Sequence, residues 1–172
     1  RDTGTRNNNN TTLVDVTTYC LIVTMASGVS VKDECVTIFE DVKKNKSYRF
    51  IIFKIIDEKV IDIEKLGDRD ATYDDYLSHL TSLGENECRY GCFDFEYVHQ
   101  PEGTTDSIPK QKLILMTWCP DTAKIKKKML YSSSFDALKR KFKGVSKYIQ
   151  ATDMAEASYD SILEKFRATD RA

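Results

Sequence analysis

The sequence predicts a single α/β domain, with a mixed β-sheet sandwiched between helices. Apolar, β-prone runs at residues 48–56 and 112–118 are typical of strands that are covered on both faces. Segments with apolar residues at helical spacing lie between the predicted strands. The length of 172 residues allows one sizeable core, but it is too short for two comfortable domains.

The first half of the chain predicts two helices and a hairpin. Helical spacing follows Ser30, a predicted N-cap with Asp33 three residues later. The run at 48–56 predicts a central strand, and residues 60–63 predict its hairpin partner after a turn. Residues 70–83 have the pattern of a second helix, which ends at a glycine.

The second half predicts three more strands and two more helices. Residues 87–98 alternate and place Phe93, Phe95 and Tyr97 on one face of a strand. A loop then leads into the second central strand, 112–118. Pro120 predicts the start of a long helix that runs through a lysine cluster, weakens at the serines 132–134 and ends by Gly144. The remaining predictions are a short edge strand at 145–149 and a last helix at 154–167.

The first 24 residues differ from the rest in composition. Eleven of them are Thr or Asn, and the first Met of the chain is Met25. Such a polar, low-complexity segment cannot bury enough apolar surface to fold by itself. We therefore expect 1–24 to be a disordered extension that need not belong to the natural protein, preceding a domain at 25–172.

The net charge of −1 hides an uneven distribution of charge. Residues 110–147 contain eleven basic and two acidic residues, a net charge of +9, whereas the rest of the chain carries −10. A chain with this distribution can present a basic face to an acidic partner. Charge runs of this kind are also common on solvated helix faces, so the pattern alone leaves both interpretations open.

The cysteines do not form a pattern that indicates a disulfide framework or a metal site. There are five, an odd number without regular spacing, and this favours a reducing compartment. Cys88 and Cys92 share one sheet face, with His79 and His99 nearby in the sequence. A zinc site would need a second ligand pair, which is missing. No apolar run approaches the length of a membrane span, and no signal peptide is recognisable.

Motifs of common enzyme classes are absent from the sequence. There is no glycine-rich phosphate loop and no Gly-x-Ser-x-Gly elbow. The two histidines are expected at the surface, and the carboxylates are scattered. The sequence therefore disfavours an enzyme.

Residues 118–134, WCPDTAKIKKKMLYSSS, carry a specific resemblance. Together with MASGV at 25–29, ECRYG at 87–91, FDFE at 93–96 and YIQATD at 148–153, they resemble the ADF/cofilin family. The similarity covers essentially all of 25–172, and we expect animal, invertebrate cofilins to be the family members that this sequence resembles most.

The resemblance implies the actin-depolymerising homology fold, a mixed sheet of five to six strands with helices on both faces. It also implies binding to monomeric and filamentous actin, with filament severing and depolymerisation and no covalent chemistry or cofactor. We further expect a monomer with a cytoplasmic, cytoskeletal location, and leave nuclear entry open.

The resemblance also implies two actin-binding surfaces. The monomer surface corresponds to Ser27, Gly28, Val29, Lys126, Lys128 and Met129. Met129 lies four residues after Ile125, a spacing that core residues also have, but the family match favours a partly exposed contact. The filament surface corresponds to Lys110, Lys112, Lys139, Arg140 and Glu164.

Two kinds of regulation follow from the same resemblance. Phosphoinositides are expected to compete with actin for Lys126, Lys127, Lys128 and Lys139, since clustered cations attract anionic lipids. Ser27 matches the regulatory phosphoserine, so a kinase and a phosphatase are expected partners.

A second hypothesis treats the basic segment as a module for phosphoinositide membranes or nucleic acid, with actin as a secondary partner. Nucleic acid is disfavoured because Phe135 and Phe142 lie on an apolar stripe, where they cannot stack on bases.

Overall fold

The computed structural model describes residues 28–170, which contain six strands and five helices. The strands are β1 (Ser30–Val31), β2 (Phe50–Ile56), β3 (Val60–Gly67), β4 (Arg89–His99), β5 (Ile108–Trp118) and β6 (Lys147–Ala151). The helices are α1 (Asp33–Lys44), α2 (Tyr73–Thr81), α3 (Ile125–Lys141), α4 (Met154–Ala157) and α5 (Tyr159–Asp170). The expected extension 1–24 and Ser27 lie outside the described residues.

The strands form one mixed sheet in the order β1-β3-β2-β4-β5-β6. The outermost pairs, β1 with β3 and β5 with β6, are parallel, whereas the inner neighbours are antiparallel. The predicted mixed sheet is therefore confirmed, with the higher of the two expected strand numbers.

The sheet separates two hydrophobic cores, and strand β4 contributes side chains to both. Its Tyr90 and Cys92 point into a core that also contains buried residues of α1 and α3, which we call the α1–α3 core. Its Phe93, Phe95 and Tyr97 point into a second core with residues of α2, α4 and α5, the α2–α5 core. Because alternate residues of a strand face opposite sides, this one strand holds helices on both faces of the sheet.

Strand β2 has the buried character that its apolar run predicts. Ile51 and Phe53 belong to the α1–α3 core, and Phe50 and Ile52 belong to the α2–α5 core. All four are at most 1% exposed. A strand covered on both faces has no need for alternating polar residues, which explains the unbroken run.

The predicted N-cap at Ser30 is wrong. Ser30 and Val31 instead form β1, in register with Val60 and Ile61 of β3. The Ser30 N–H donates to the Lys59 carbonyl oxygen at 2.9 Å, so the backbone is engaged in pairing before α1 begins at Asp33. Pairing with a distant strand has outweighed the local capping signal.

The predicted start and weak point of the long helix are also wrong. The Ala123 N–H donates to the Pro120 carbonyl oxygen at 2.9 Å, which closes a turn, and α3 begins only at Ile125. The helix then continues through Ser132–Ser134 without a break. Ser134 is fully buried, so packing keeps the serines helical despite their weak propensity.

The predicted last helix is divided into α4 and α5 by Ser158. This residue has an extended backbone, with a ψ of 151°, and its hydroxyl oxygen accepts from the Ser161 N–H at 3.2 Å. Ser158 therefore ends one helix and caps the next.

Gly91 on β4 provides a test of the packing between the sheet and α2. A Cβ at this position would lie 2.3 Å from the Tyr76 hydroxyl oxygen, a group that has no hydrogen-bond partner among the described residues. We expect Gly91→Ala to lower the free energy of unfolding by about 1–3 kcal/mol through overpacking, measured by urea denaturation. Adding Tyr76→Phe should recover part of the loss. Wild-type stability in the single variant would contradict this packing.

Candidate functional site

The position of helix α3 is fixed by one side of the helix, on which Tyr131, Phe135 and Leu138 are buried. The Tyr131 hydroxyl accepts from the Ile55 N–H at 3.0 Å, and its carbonyl oxygen accepts from the Tyr90 hydroxyl. The two tyrosine rings lie 4.8 Å apart. Burial raises the pKa of both phenols, so both remain neutral at physiological pH.

The opposite side of the helix start exposes two large apolar side chains. Ile125 is 76% exposed and Met129 is 67% exposed. Met129 lies two residues before Tyr131, about 160–200° away around the helix axis, so burial of the tyrosine turns the methionine outward. Four residues apart, Ile125 and Met129 lie on the same face of the helix.

Lysines flank this apolar pair along the helix, and three of them have partners in other parts of the chain. The Lys126 Nζ lies 2.9 Å from Glu58 Oε1, in the turn between β2 and β3. Lys127 pairs with Glu87, which precedes β4. Lys128 donates to the Asp121 carbonyl oxygen at 2.8 Å. We call Lys124, Ile125, Lys126, Lys127, Lys128 and Met129 the helix-start surface.

A half-buried series of ion pairs extends from the helix-start surface toward the sheet. The Arg89 Nε lies 2.6 Å from Glu64 Oε2, and its Nη1 lies 2.9 Å from Glu87 Oε2. Lys127 and then Arg89 lower the pKa of Glu87 against the effect of its partial burial. Burial opposes the charge of Arg89, but Glu64 and Glu87 outweigh it and raise its pKa. Glu87 and Arg89 therefore remain charged over the physiological pH range.

A cavity of about 630 Å³ lies between this series of ion pairs and the helix start. Its lining carries both signs of charge, from Lys54, Glu58, Glu87, Arg89 and Lys127 among others. Since these groups largely pair with one another, the cavity offers no set of free polar groups that converges on a ligand.

The N-terminal part of the predicted monomer surface lies on the same side of the sheet as α3. Gly28 is exposed and has a φ of +73°, a conformation that favours glycine. Val29 is only 5% exposed and belongs to the α1–α3 core. The Val29 side chain therefore anchors the segment in the core, and the assignment of this residue to the monomer surface stays a prediction. Helix α3 packs against β1, which follows directly.

The predicted filament residues lie around the edge strand β6. Lys110 of β5 pairs with Asp170 of α5 at 2.8 Å, and Asp170 also accepts from the Tyr97 hydroxyl. Lys112 is exposed on β5, and Glu164 is exposed on α5.

Lys139 and Arg140 lie at the other end of α3, where Arg140 is exposed. The Lys139 Nζ lies 4.7 Å from the centroid of the Phe135 ring and 5.5 Å from that of Tyr148 on β6. Stacking on two rings gives this cation a defined position. We call Lys110, Lys112, Lys139, Arg140 and Glu164 the β6-edge surface.

Ile125 is a candidate site residue that the sequence did not identify, because its spacing to Met129 also fits core packing. The signal that identifies its exposure is the position of Tyr131, Phe135 and Leu138 on another side of the same helix. The buried stripe of a helix is set by its most consistent apolar series, which here begins at Tyr131.

Within residues 28–170, no group of three or more Cys, His, Asp or Glu side chains could hold a metal ion. Cys88 and Cys92 are buried in the α1–α3 core, and the His99 Nδ1 lies 3.5 Å from Asp170. None of the helices in this part of the chain is both long and apolar enough to cross a membrane.

Comparisons with known proteins agree with this architecture. A family model described as cofilin/tropomyosin-type actin-binding protein matches residues 28–167. The cofilin of Saccharomyces cerevisiae is 44% identical over 140 residues, covering 81% of this chain and 92% of that protein. Actin-depolymerizing factor 7 of Arabidopsis thaliana is 43% identical over 137 residues, covering 80% and 93%.

Solved structures give the same result. The crystal structure of Streptomyces griseoflavus cofilin has a TM-score of 0.69 at 37% identity, covering 80% of this chain and 96% of that one. The relatives named here are a yeast, a plant and a bacterial protein, so the expected invertebrate similarity stays a prediction. The match over 28–167 and the shared fold show that the chain belongs to the cofilin and actin-depolymerising factor family.

Proposed function

We propose that this chain binds actin monomers and filaments, and that it severs and depolymerises the filaments. Family membership supports an actin-binding, depolymerising protein. The observation that carries the assignment to a surface is the exposed pair Ile125 and Met129, which neighbouring lysines flank. Large apolar side chains next to each other on a helix, rimmed by charge, are typical of a protein-binding face.

The helix-start surface suits a partner with an apolar groove and acidic edges. Fully covering a side chain such as Ile125 or Met129 contributes about 1.5–3 kcal/mol. The lysines add orientation and faster association with an acidic surface. A helix that presents two apolar anchors to a groove is a common recognition mode.

The proposed activity is non-enzymatic and needs no cofactor. A protein that binds one conformation of a filament more tightly than another shifts the filament toward the first. Depolymerisation then follows from binding energy alone, without covalent chemistry. The corresponding location is cytoplasmic and cytoskeletal, with nuclear entry as a further proposal, and the working form is a monomer.

We assign monomer binding to the helix-start surface together with Ser27, Gly28 and Val29, and filament binding to the β6-edge surface. Lys126 and Lys139 are thirteen residues apart, about 20 Å along the helix axis. That separation allows the two surfaces to contact different actin subunits at the same time. The domain at 25–172, preceded by the extension 1–24, is retained as part of this proposal.

Phosphoinositides are a proposed second class of ligand for Lys126, Lys127, Lys128 and Lys139. The three neighbouring lysines share one turn of the helix, although they point in different directions and each already has an acidic or carbonyl partner. Lys139 lies at the far end of the helix, so one headgroup cannot reach all four. This distribution favours lipid as a competitor of actin over a dedicated lipid-binding module.

Ser27 is the proposed site of regulation by a kinase and a phosphatase. It directly precedes Gly28, which is exposed, and Val29, which is anchored in the core. A phosphate adds a charge of about −1.5 to −2. Placed beside a surface that binds acidic actin, this charge should oppose docking.

Met129→Ala tests the apolar anchor. We expect affinity for actin monomers to fall about tenfold, because a central apolar contact is lost, measured by fluorescence titration. The melting temperature should not change, since the side chain is exposed. Met154→Ala is the matched control, because Met154 is 50% exposed but lies on α4, and it should bind normally. Equal losses in both variants would contradict the assignment.

Charge reversal tests the two-surface assignment. Lys126→Glu with Lys128→Glu should weaken monomer binding more than about tenfold, because attraction becomes repulsion. Lys139→Glu with Arg140→Glu should largely spare monomer binding and lower co-sedimentation with filaments. If both pairs behaved alike, the assignment would be wrong.

Sedimentation of the unmodified chain with phosphoinositide vesicles, with and without actin monomers, tests whether the two ligands compete.

Ser27→Glu should reduce monomer binding and filament disassembly, because a negative charge is placed at the docking surface. Ser27→Ala is the control and should behave like the unmodified chain. Pyrene-actin disassembly measures the effect. Unchanged disassembly by the charged variant, confirmed with enzymatically phosphorylated protein, would count against regulation at Ser27.

A further inference from the structure

Two cysteines face each other where β4 and β5 meet the loops of the helix-start surface. In the antiparallel register of these strands, Arg89 is paired with Trp118. The next position along the same ladder brings Cys88 opposite Cys119, and both thiols are free.

Each cysteine is held in place by a hydrogen bond to its backbone. The Cys119 N–H donates to the Ala151 carbonyl oxygen at 3.0 Å, and the Cys88 carbonyl oxygen accepts from Arg89 Nη1 at 2.7 Å. Directly opposed residues of antiparallel strands have Cα atoms about 4.5–5.5 Å apart. A disulfide spans Cα separations of about 4.4–6.8 Å, so the register fits one without rearrangement of the sheet.

The environment of the pair favours reaction between its two members. A hydrogen bond from the Cys119 thiol lowers the pKa of Cys88 against the effect of burial, and Lys127 and Lys128 act in the same direction. The same contact raises the pKa of Cys119. Both cysteines are buried, with Cys88 0% and Cys119 8% exposed, so only a small oxidant can reach the pair.

The other cysteines in residues 28–170 have different neighbours. Cys92 lies opposite Leu115 on one side and Ile51 on the other, and burial raises its pKa above its usual range. The Cys35 thiol donates to the Ile61 carbonyl oxygen at 3.5 Å. Neither has a thiol opposite it in the sheet.

We propose that Cys88 and Cys119 form a reversible intramolecular disulfide when the protein meets a peroxide. The Cys88 thiol first gives up its proton. The resulting thiolate attacks one peroxide oxygen, which forms a sulfenic acid and breaks the O–O bond, and the departing hydroxide takes up that proton to leave as the first water. The Cys119 sulfur then attacks the sulfenic sulfur, which forms the S–S bond, and the departing hydroxide takes the Cys119 proton to leave as the second water. Two thiols lose two electrons and two protons in total, and a thiol reductant reverses the step.

The disulfide would join the two loops that hold the lysines of the helix-start surface. Cys88 directly follows Glu87, the partner of Lys127, and Cys119 precedes Asp121, the partner of Lys128, by two residues. Oxidation would therefore fix the spacing of these acidic partners. This consequence follows from the chain itself and does not depend on actin.

The experiment uses the full chain with Cys20→Ser, which removes the cysteine outside the described residues. The protein is treated with hydrogen peroxide, alkylated, and measured by intact mass and by non-reducing digestion with peptide mapping. We expect the loss of two hydrogens and one cross-link, between the peptides of Cys88 and Cys119. The melting temperature should rise by about 5–10 °C on oxidation and return after reduction.

Two variants in the same background serve as controls. Cys119→Ser should abolish the cross-link, whereas Cys35→Ser should leave it unchanged. A cross-link that involves Cys35 or Cys92, cross-linked dimers, or sulfinic acids without a cross-link would overturn the proposal. Because the peptide map of the parent chain decides the pairing, the result does not depend on whether Cys119→Ser folds.

Discussion

The attachment of Tyr131 to the sheet determines what the rest of helix α3 presents to solvent. This tyrosine accepts from the Ile55 N–H through its hydroxyl and from the Tyr90 hydroxyl through its carbonyl oxygen. Both interactions lie in a region where an unpaired polar group would be costly. The helix therefore cannot rotate about its axis without losing them. This rigidity keeps Ile125 and Met129 outward before any partner arrives, and a preorganised surface loses less entropy on binding.

The ion pairs of the helix-start surface have two different roles that follow from their exposure. Lys126 and Glu58 have side chains that are 82% and 60% exposed, and such pairs contribute little to stability. Lys126 can therefore exchange its partner for an acidic group of actin at small cost. The Arg89–Glu64 pair is 10% and 18% exposed, and losing one member would leave a poorly solvated charge. The Arg89–Glu64 pair therefore stabilises the start of β4, while the exposed Lys126 remains available to a binding partner.

The sequence predicted the parts of the fold that local patterns determine and missed those that depend on distant partners. The central strands were predicted because they are long apolar runs, and the face of Phe93 followed from simple alternation. Ser30 was misassigned because its pairing with Val60 overrides a local cap. The lysine cluster was visible in the sequence, but the pairing of Lys127 with Glu87, forty residues away, required the register of β4. The opposition of Cys88 and Cys119 has the same origin.

The geometry of α3 shows how the uneven charge of the chain is distributed in space. The basic segment is divided between the two ends of a 17-residue helix, which are about 25 Å apart. At one end lysines flank an apolar pair, and at the other Lys139 stacks on aromatic rings beside β6. A protein that alters a filament must contact its subunits differently in different filament states. In the proposed assignment, two separated surfaces at the ends of one helix would meet that requirement, because their spacing would favour the filament geometry that satisfies both.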